Sequence, residues 1–215
     1  PWVGGTLCVQ PPLRRTPLYA EHVKLKGKVI PFAGWEMPVW YTAVSDEHAA
    51  VRKAAGLFDV AHMGTVEISG PGATRFLDLV TTNYVPALPV GHSQYAYLLA
   101  PDGAVLDDIL IYRREQERYM VVVNAANAEK DLAWLQAVNA GSVELDRENP
   151  AMRVEQRVTI RSLKDAASGP EQRVDLALQG PLAMDIAVRC MTPEDARQLL
   201  RLSRGEFMEG AAGRI

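Results

Sequence analysis

Two adjacent carboxylates, Asp107 and Asp108, interrupt an otherwise apolar run from Val105 to Tyr112. Side chains on a strand alternate between faces, so the two point in opposite directions. Asp108 then shares a face with Leu110 and Tyr112. A carboxylate placed in this way can accept a proton or orient a nitrogen heterocycle. The pair can equally be two strand-edge aspartates that cap a neighbouring turn. Asn124 ends the run Val121-Val122-Val123 and shares a face with Val122. Such an asparagine either caps a following helix or presents its amide to a ligand. Trp35, Trp40 and Tyr41, with Glu36 among them, can stack on a flat ligand or pack a domain junction.

The remaining reactive residue types form no familiar pattern. His22, His48, His62 and His92 have no metal-ligand spacing, and no metal is expected. His48 and His62 read as hydrogen-bonded structural residues. Cys8 and Cys190 are isolated, which gives no disulfide framework and points to a reducing compartment. Cys8 has no evident activating base, so it is not read as a nucleophile. Gly64, Gly70 and Gly72 do not make a dinucleotide fingerprint.

These residues must be positioned by an alternation of short elements. Thr16-Pro17 predicts a helix start, with Thr16 as cap and Pro17 at the first helical position. Residues 29–32 read as a strand, and 32–41 as an irregular loop broken by Gly34 and Pro38. Asp46 is expected to cap a helix over 47–55, closed by Gly56. Beyond it the reading is a strand at 65–69, a helix at 72–80, and strands at 94–99, 104–113 and 119–124. A helix at 126–138 and a strand at 142–146 close this unit. That order is close to a ferredoxin-like, antiparallel α+β layer. Residues 147–173 are charged and irregular and read as an excursion. A strand at 174–179 and helices from Gly180 and Pro193 follow.

The bulk numbers narrow the function class. The chain has 215 residues, 48% hydrophobic and 23% charged, which is globular composition. Its net charge of −3 comes with no basic stripe, which argues against a nucleic-acid partner. No apolar run approaches the roughly 20 residues of a membrane span, so no membrane association is expected. Residues 1–15 are set apart as a tail of uncertain origin.

Read in order, several segments resemble one family. They are Arg15-Thr16-Pro17-Leu18-Tyr19, Phe32-Ala33-Gly34-Trp35-Glu36-Met37-Pro38, Glu47-His48-Ala49-Ala50-Val51-Arg52 and Gly56-Leu57-Phe58-Asp59-Val60-Ala61-His62-Met63-Gly64. Gly103-Ala104-Val105-Leu106-Asp107-Asp108, Val122-Val123-Asn124-Ala125-Ala126-Asn127 and Leu178-Gln179-Gly180-Pro181 continue the match. Together they are similar to the N-terminal portion of the T-protein family, the aminomethyltransferases of the glycine cleavage system.

The resemblance implies an α+β fold of antiparallel sheets with packed helices, forming the first two domains of a folate-binding cloverleaf. Residues 16–60 plus 147–215 would make a discontinuous first domain and 61–146 the ferredoxin-like second. The third, barrel domain would be absent, and activity of these residues alone would be in doubt. The implied reaction, part of glycine catabolism and one-carbon metabolism, moves a methylene from an aminomethyl group on the lipoyl arm of the H-protein to tetrahydrofolate and releases ammonia. The resemblance assigns Asp108 as the catalytic carboxylate in the folate site, with Met63, Tyr95, Tyr112, Val122 and Asn124 as further folate-binding residues.

Ala61 stands where the family usually has serine, and Tyr84 where it usually has aspartate. The alternatives are a tetrahydrofolate-dependent demethylase of the same superfamily and a non-enzymatic folate-binding relative. The family's members imply a bacterial cytoplasm, or the mitochondrial matrix in a eukaryote.

Overall fold

The structure is a computed structural model that describes residues 12–210. Cys8, and most of the segment set apart as a tail, lie outside the described residues. The end of that segment is not a tail. Arg14 bridges to Trp35, and its backbone exchanges hydrogen bonds with Gly34 and Glu36. The Arg15 guanidinium pairs with Glu36.

The first unit opens with helix α1 (Tyr19–Lys24), the hairpin β1 (Lys28–Phe32) and β2 (Trp35–Trp40), helix α2 (Val44–Lys53) and strand β3 (Gly56–Asp59). The expected loop over 32–41 is therefore mostly strand. Ala33 and Gly34 both take positive φ and make the tight turn that lets the flanking residues pair. Helix α1 begins at Tyr19, with Leu18 and not Thr16 at its cap. Helix α2 begins at Val44, ahead of Asp46. Glu47 reaches back and accepts the Tyr41 and Thr42 backbone N–H groups, each at 2.6 Å. Gly56 is the first residue of β3, and not a helix cap.

The second unit is a five-stranded antiparallel sheet. Strand β4 (Gly64–Ser69) leads into helix α3 (Ala73–Val80) and then β5 (Ser93–Leu99), β6 (Val105–Glu115) and β7 (Arg118–Val123). Helix α4 (Ala128–Ala140) and strand β8 (Thr159–Ser162) complete it, in the spatial order β5-β6-β7-β4-β8. Glu117, in the β6–β7 turn, accepts the Thr74 N–H at 2.9 Å and so satisfies an open donor at the start of α3. One face of the sheet carries Val66, Ile68, Ile109, Ile111, Tyr119 and Val121 against Phe76 and Leu77 of α3 and Leu135 of α4, and this is the core.

The closing strand is not at 142–146. Gly141 ends α4 in the left-handed conformation, and Ser142 N–H bonds back to Ala137. The Asp146 carboxylate then accepts the Glu148 N–H in a turn. The strand that joins β4 lies instead inside the segment read as an excursion. Ile160 faces the core there, and Arg161 reaches Glu67 on the opposite face.

The chain then returns to the first unit. Strand β9 (Leu176–Gln179) pairs antiparallel with β3, and helices α5 (Ala183–Arg189) and α6 (Pro193–Leu199) follow. Gly180 has φ +117°, and a Cβ there would lie 2.5 Å from the Ala54 carbonyl oxygen. Only glycine meets both demands. No helix among the described residues is long and apolar enough to cross a membrane.

Candidate functional site

The sheet face turned away from α3 and α4 collects most of the expected site residues. Alternation along β6 sends Asp107, Ile109 and Ile111 to the core and Asp108, Leu110 and Tyr112 to this face. Register does the rest. Tyr97 stands opposite Asp108, Tyr95 opposite Leu110, and Leu110 opposite Val122, which in turn faces Thr65. Tyr95 and Tyr97 are 71% and 51% exposed, so their rings stand free beside the Asp108 carboxylate.

A single asparagine holds that carboxylate. Asn124 Nδ2 donates to Asp108 Oδ1 at 2.9 Å, to the Asp108 carbonyl at 3.1 Å and to Asp107 Oδ1 at 2.9 Å. With the amide N–H groups turned to the aspartates, the Asn124 carbonyl oxygen is left pointing elsewhere. Asp107 is 4% exposed and accepts Asn124 N–H at 2.9 Å and Asn127 Nδ2 at 2.7 Å as well. Burial alone would raise its pKa, but these donors outweigh burial and hold the carboxyl below its ordinary value.

One end of the face is closed. Phe207 stacks edge-on against Tyr112 at 5.3 Å between ring centres. The segment carrying it is pinned by Ser93 N–H to Gly205 (2.7 Å) and Phe207 N–H to Gly91 (2.8 Å). Two strands from Tyr112, with Met120 between them, Glu67 is 3% exposed and accepts from Arg161, Arg118 and Arg114 at 2.8, 2.8 and 3.1 Å. Arg114 also holds Glu171 and Glu209, which ties later chain to this end of the sheet. The other end, with Asp108, Tyr95 and Tyr97, is open.

Met63 is the expected residue that does not stand on this face. It precedes β4 and lines a cavity of about 400 Å³ with Trp35, His62, Thr65 and Lys164. Thr65 is the point where cavity and face adjoin, because its register partner is Val122. A larger cavity of about 700 Å³, between Arg75 and Met152, contains none of the expected site residues.

Of the aromatic segment, Trp35 lines the smaller cavity under Arg14, whose guanidinium carbon lies 5.7 Å from the ring centre. Tyr41 turns the other way and bonds His22 Nδ1 at 2.8 Å. His48 is exposed on α2. His62 meets the Phe32 ring at 5.6 Å, and burial lowers its pKa below the ordinary imidazole value. Among the described residues, no three His, Cys, Asp or Glu side chains gather as a metal-ligand group.

Three polar clusters were not singled out from the sequence. His22 Nε2 pairs with Asp59 Oδ2 at 2.7 Å, joining α1 to β3 across 37 positions with no local signal. The Glu67 cluster is equally long-range. Asp131 does carry a signal: it stands on the buried stripe of α4, four and seven residues before Leu135 and Val138.

Comparison with known proteins covers nearly all of the described chain. The profile of the GCVT N-terminal domain matches residues 18–211. An aminomethyltransferase of Bacillus subtilis (strain 168) is 48% identical over 137 residues, 64% of this chain and 38% of that protein. An aminomethyltransferase of Geobacillus kaustophilus is 42% identical over 197 residues, 92% of this chain and 48% of its own length. The crystal structure of glycine cleavage system aminomethyltransferase T from Bartonella henselae superposes with a TM-score of 0.72 at 33% identity, over 90% of this chain and 46% of that one. The chain spans less than half the length of these relatives.

Proposed function

The chain belongs to the GCVT N-terminal domain family, and on that premise we propose that it carries the folate-binding half of an aminomethyltransferase of the glycine cleavage system. The substrate would be tetrahydrofolate, and the aminomethyl donor a lipoylated H-protein. Asp108 would be the catalytic carboxylate, with Tyr95, Tyr112, Val122 and Asn124 around the heterocycle and Met63 at the adjoining cavity. A bacterial cytoplasm is the proposed location, since the matched relatives are bacterial.

The observation that carries this reading is the single sheet face on which Asp108, Tyr95, Tyr112, Val122 and Asn124 stand together. The residues present fit a flat, nitrogen-rich ligand. Exposed tyrosine rings offer stacking surface, Leu110 and Val122 offer apolar contact, and the Asn124 carbonyl oxygen offers an acceptor. Asp108 would act by charge and placement. Its carboxylate favours positive charge building on the carbon that loses ammonia, and it orients the attacking nitrogen.

Titration calorimetry with tetrahydrofolate tests this reading, on the chain itself and on the chain extended to the length of its relatives. Binding is expected in the extended protein, weakened roughly fivefold by Tyr95→Ala through loss of a stacking contact of about 1 kcal/mol. No heat of binding in either protein would remove the folate reading.

A further inference from the structure

We propose that Asp131 is a positioning residue: it is a neutral carboxylic acid in the fold, its O–H donates to Asp107, and through Asn124 this buried chain fixes the direction of the Asp108 carboxylate. The proposal rests on the reading of Asp108 given above.

The geometry leads there step by step. Asp131 is fully buried, and neither of its carboxyl oxygens has a hydrogen-bond donor. A buried carboxylate without donors is among the costliest arrangements in a fold, and taking up a proton relieves it. Asp107, which accepts from Asn127 one helical turn before Asp131 at the start of α4, is the acceptor that such a proton meets. Its own donors, Asn124 N–H, Asn124 Nδ2 and Asn127 Nδ2, show it to be the ionised member of the pair.

The ionisable groups that face Asp131 are Asp107 on β6 and Lys130 on its own helix. Lys130 Nζ is 3.8 Å away, beyond hydrogen-bond reach. It is directed instead to the Leu106 carbonyl at 2.8 Å and Asn127 Oδ1 at 3.0 Å. Burial first, and then Asp107, raise the Asp131 pKa to about 7.

The consequence reaches the open face through one side chain. Asn124 Nδ2 serves Asp107 and Asp108 together, so the orientation of Asp107 sets the orientation of the amide that holds Asp108. When Asp131 ionises, two negative carboxylates meet in a buried site, and Asp107 must shift or draw its donors away. Asp131 thus acts on the proposed reaction without touching any ligand.

Two measurements on the chain in solution decide this. Infrared difference spectra through a pH titration read the C=O stretch of a protonated carboxylic acid. Wild type is expected to lose such a band near pH 7, and Asp131→Asn to lack it throughout. Nitrogen-15 NMR then follows the Asn124 side-chain amide. It is expected to shift in wild type with the same midpoint and to stay fixed in Asp131→Asn, whose own amide replaces the lost donor. Asp131→Ala offers no donor and is expected to free the Asn124 amide. Should that variant fail to fold, the Asp131→Asn titration decides alone.

A band that is absent from wild type or that survives in Asp131→Asn overturns the proposal. So does an Asn124 amide that titrates alike in both proteins. Where tetrahydrofolate binds, its affinity is expected to weaken as pH rises through 7 in wild type only, and equal pH dependence in both proteins overturns the positioning role. Failure of wild type to bind tetrahydrofolate at all removes the folate reading, while the spectroscopic result on the pair stands by itself.

Discussion

Asp107 and Asp108 are neighbours with opposite work. The pleat gives one to a buried network and the other to the open face, and this division was readable from the alternating run around them. Asp108→Asn keeps the shape and removes the charge. The expected result is a loss of roughly 10²- to 10³-fold in the proposed aminomethyl transfer by the extended protein, with an unaltered melting transition in this chain. Retained transfer would remove Asp108 from the chemistry. His22 is the contrasting case, since its role was not legible from the sequence. Asp59 has a side chain only 1% exposed, and His22 is its partner across 37 positions. His22→Ala should remove one donor from that buried carboxylate and leave it the Ala61 N–H, a destabilisation of about 1–3 kcal/mol in urea unfolding. The sequence shows His22 only as one more polar helix residue, because a pairing between distant elements leaves no local pattern.

At the level of elements, periodicity was sufficient where burial was regular. The strands β4 to β7 and the helices α3 and α4 fall close to their expected positions, because each has one clean apolar face against the shared core. Strand β8 was missed because charged neighbours masked a short alternation, Val158-Thr159-Ile160-Arg161. Its arginine is not solvent-facing polar filler. It reaches Glu67, which also takes Arg114 and Arg118, and the four side chains fasten β4, β6, β7 and β8 together. Burial, the largest single influence, pushes the Glu67 pKa upward, but donors from Arg161 and Arg118 outweigh it and hold the carboxyl below its ordinary value. Glu67→Ala should therefore cost about 1–3 kcal/mol, read by urea unfolding, by removing the acceptor the three arginines share; Arg114, the buried one, keeps Glu171 and Glu209. A variant within about 0.5 kcal/mol of wild type would show the cluster to be solvated.

For the molecule as a whole, two groups of carboxyls pull stability in opposite directions with pH. Asp107 and Glu67 have lowered pKa values in the fold, so what they contribute is present above their unfolded values and lost on acidification. Asp131 has a raised value, from 3.8 to about 7. Its contribution is complete below the unfolded value and disappears as pH rises through 7. Asp131→Asn removes only that second dependence. Between about pH 5 and about pH 8, the variant should gain on wild type by a few kcal/mol in urea unfolding, since each tenfold difference in proton affinity between fold and unfolded chain is worth about 1.4 kcal/mol. Parallel stability profiles would mean that Asp131 is ionised throughout. The α+β class and the antiparallel layers were legible from the order of elements. The point at which the chain leaves the five-stranded sheet was not, since β8 stands well after α4 in the sequence.

The pairing of β3 with β9 also fixes an order of events during synthesis. Gly56 must find Gln179, and everything between them includes the entire five-stranded sheet. Closing so long a loop from an unstructured chain is entropically slow, whereas a sheet already folded brings the two ends near each other. The inserted unit is therefore expected to form first, as it leaves the ribosome, and to act as the spacer that shortens the search. Until residue 179 emerges, Leu57 and Phe58 wait on an unpaired edge. That interval is when the nascent chain is most exposed to pairing with a neighbour.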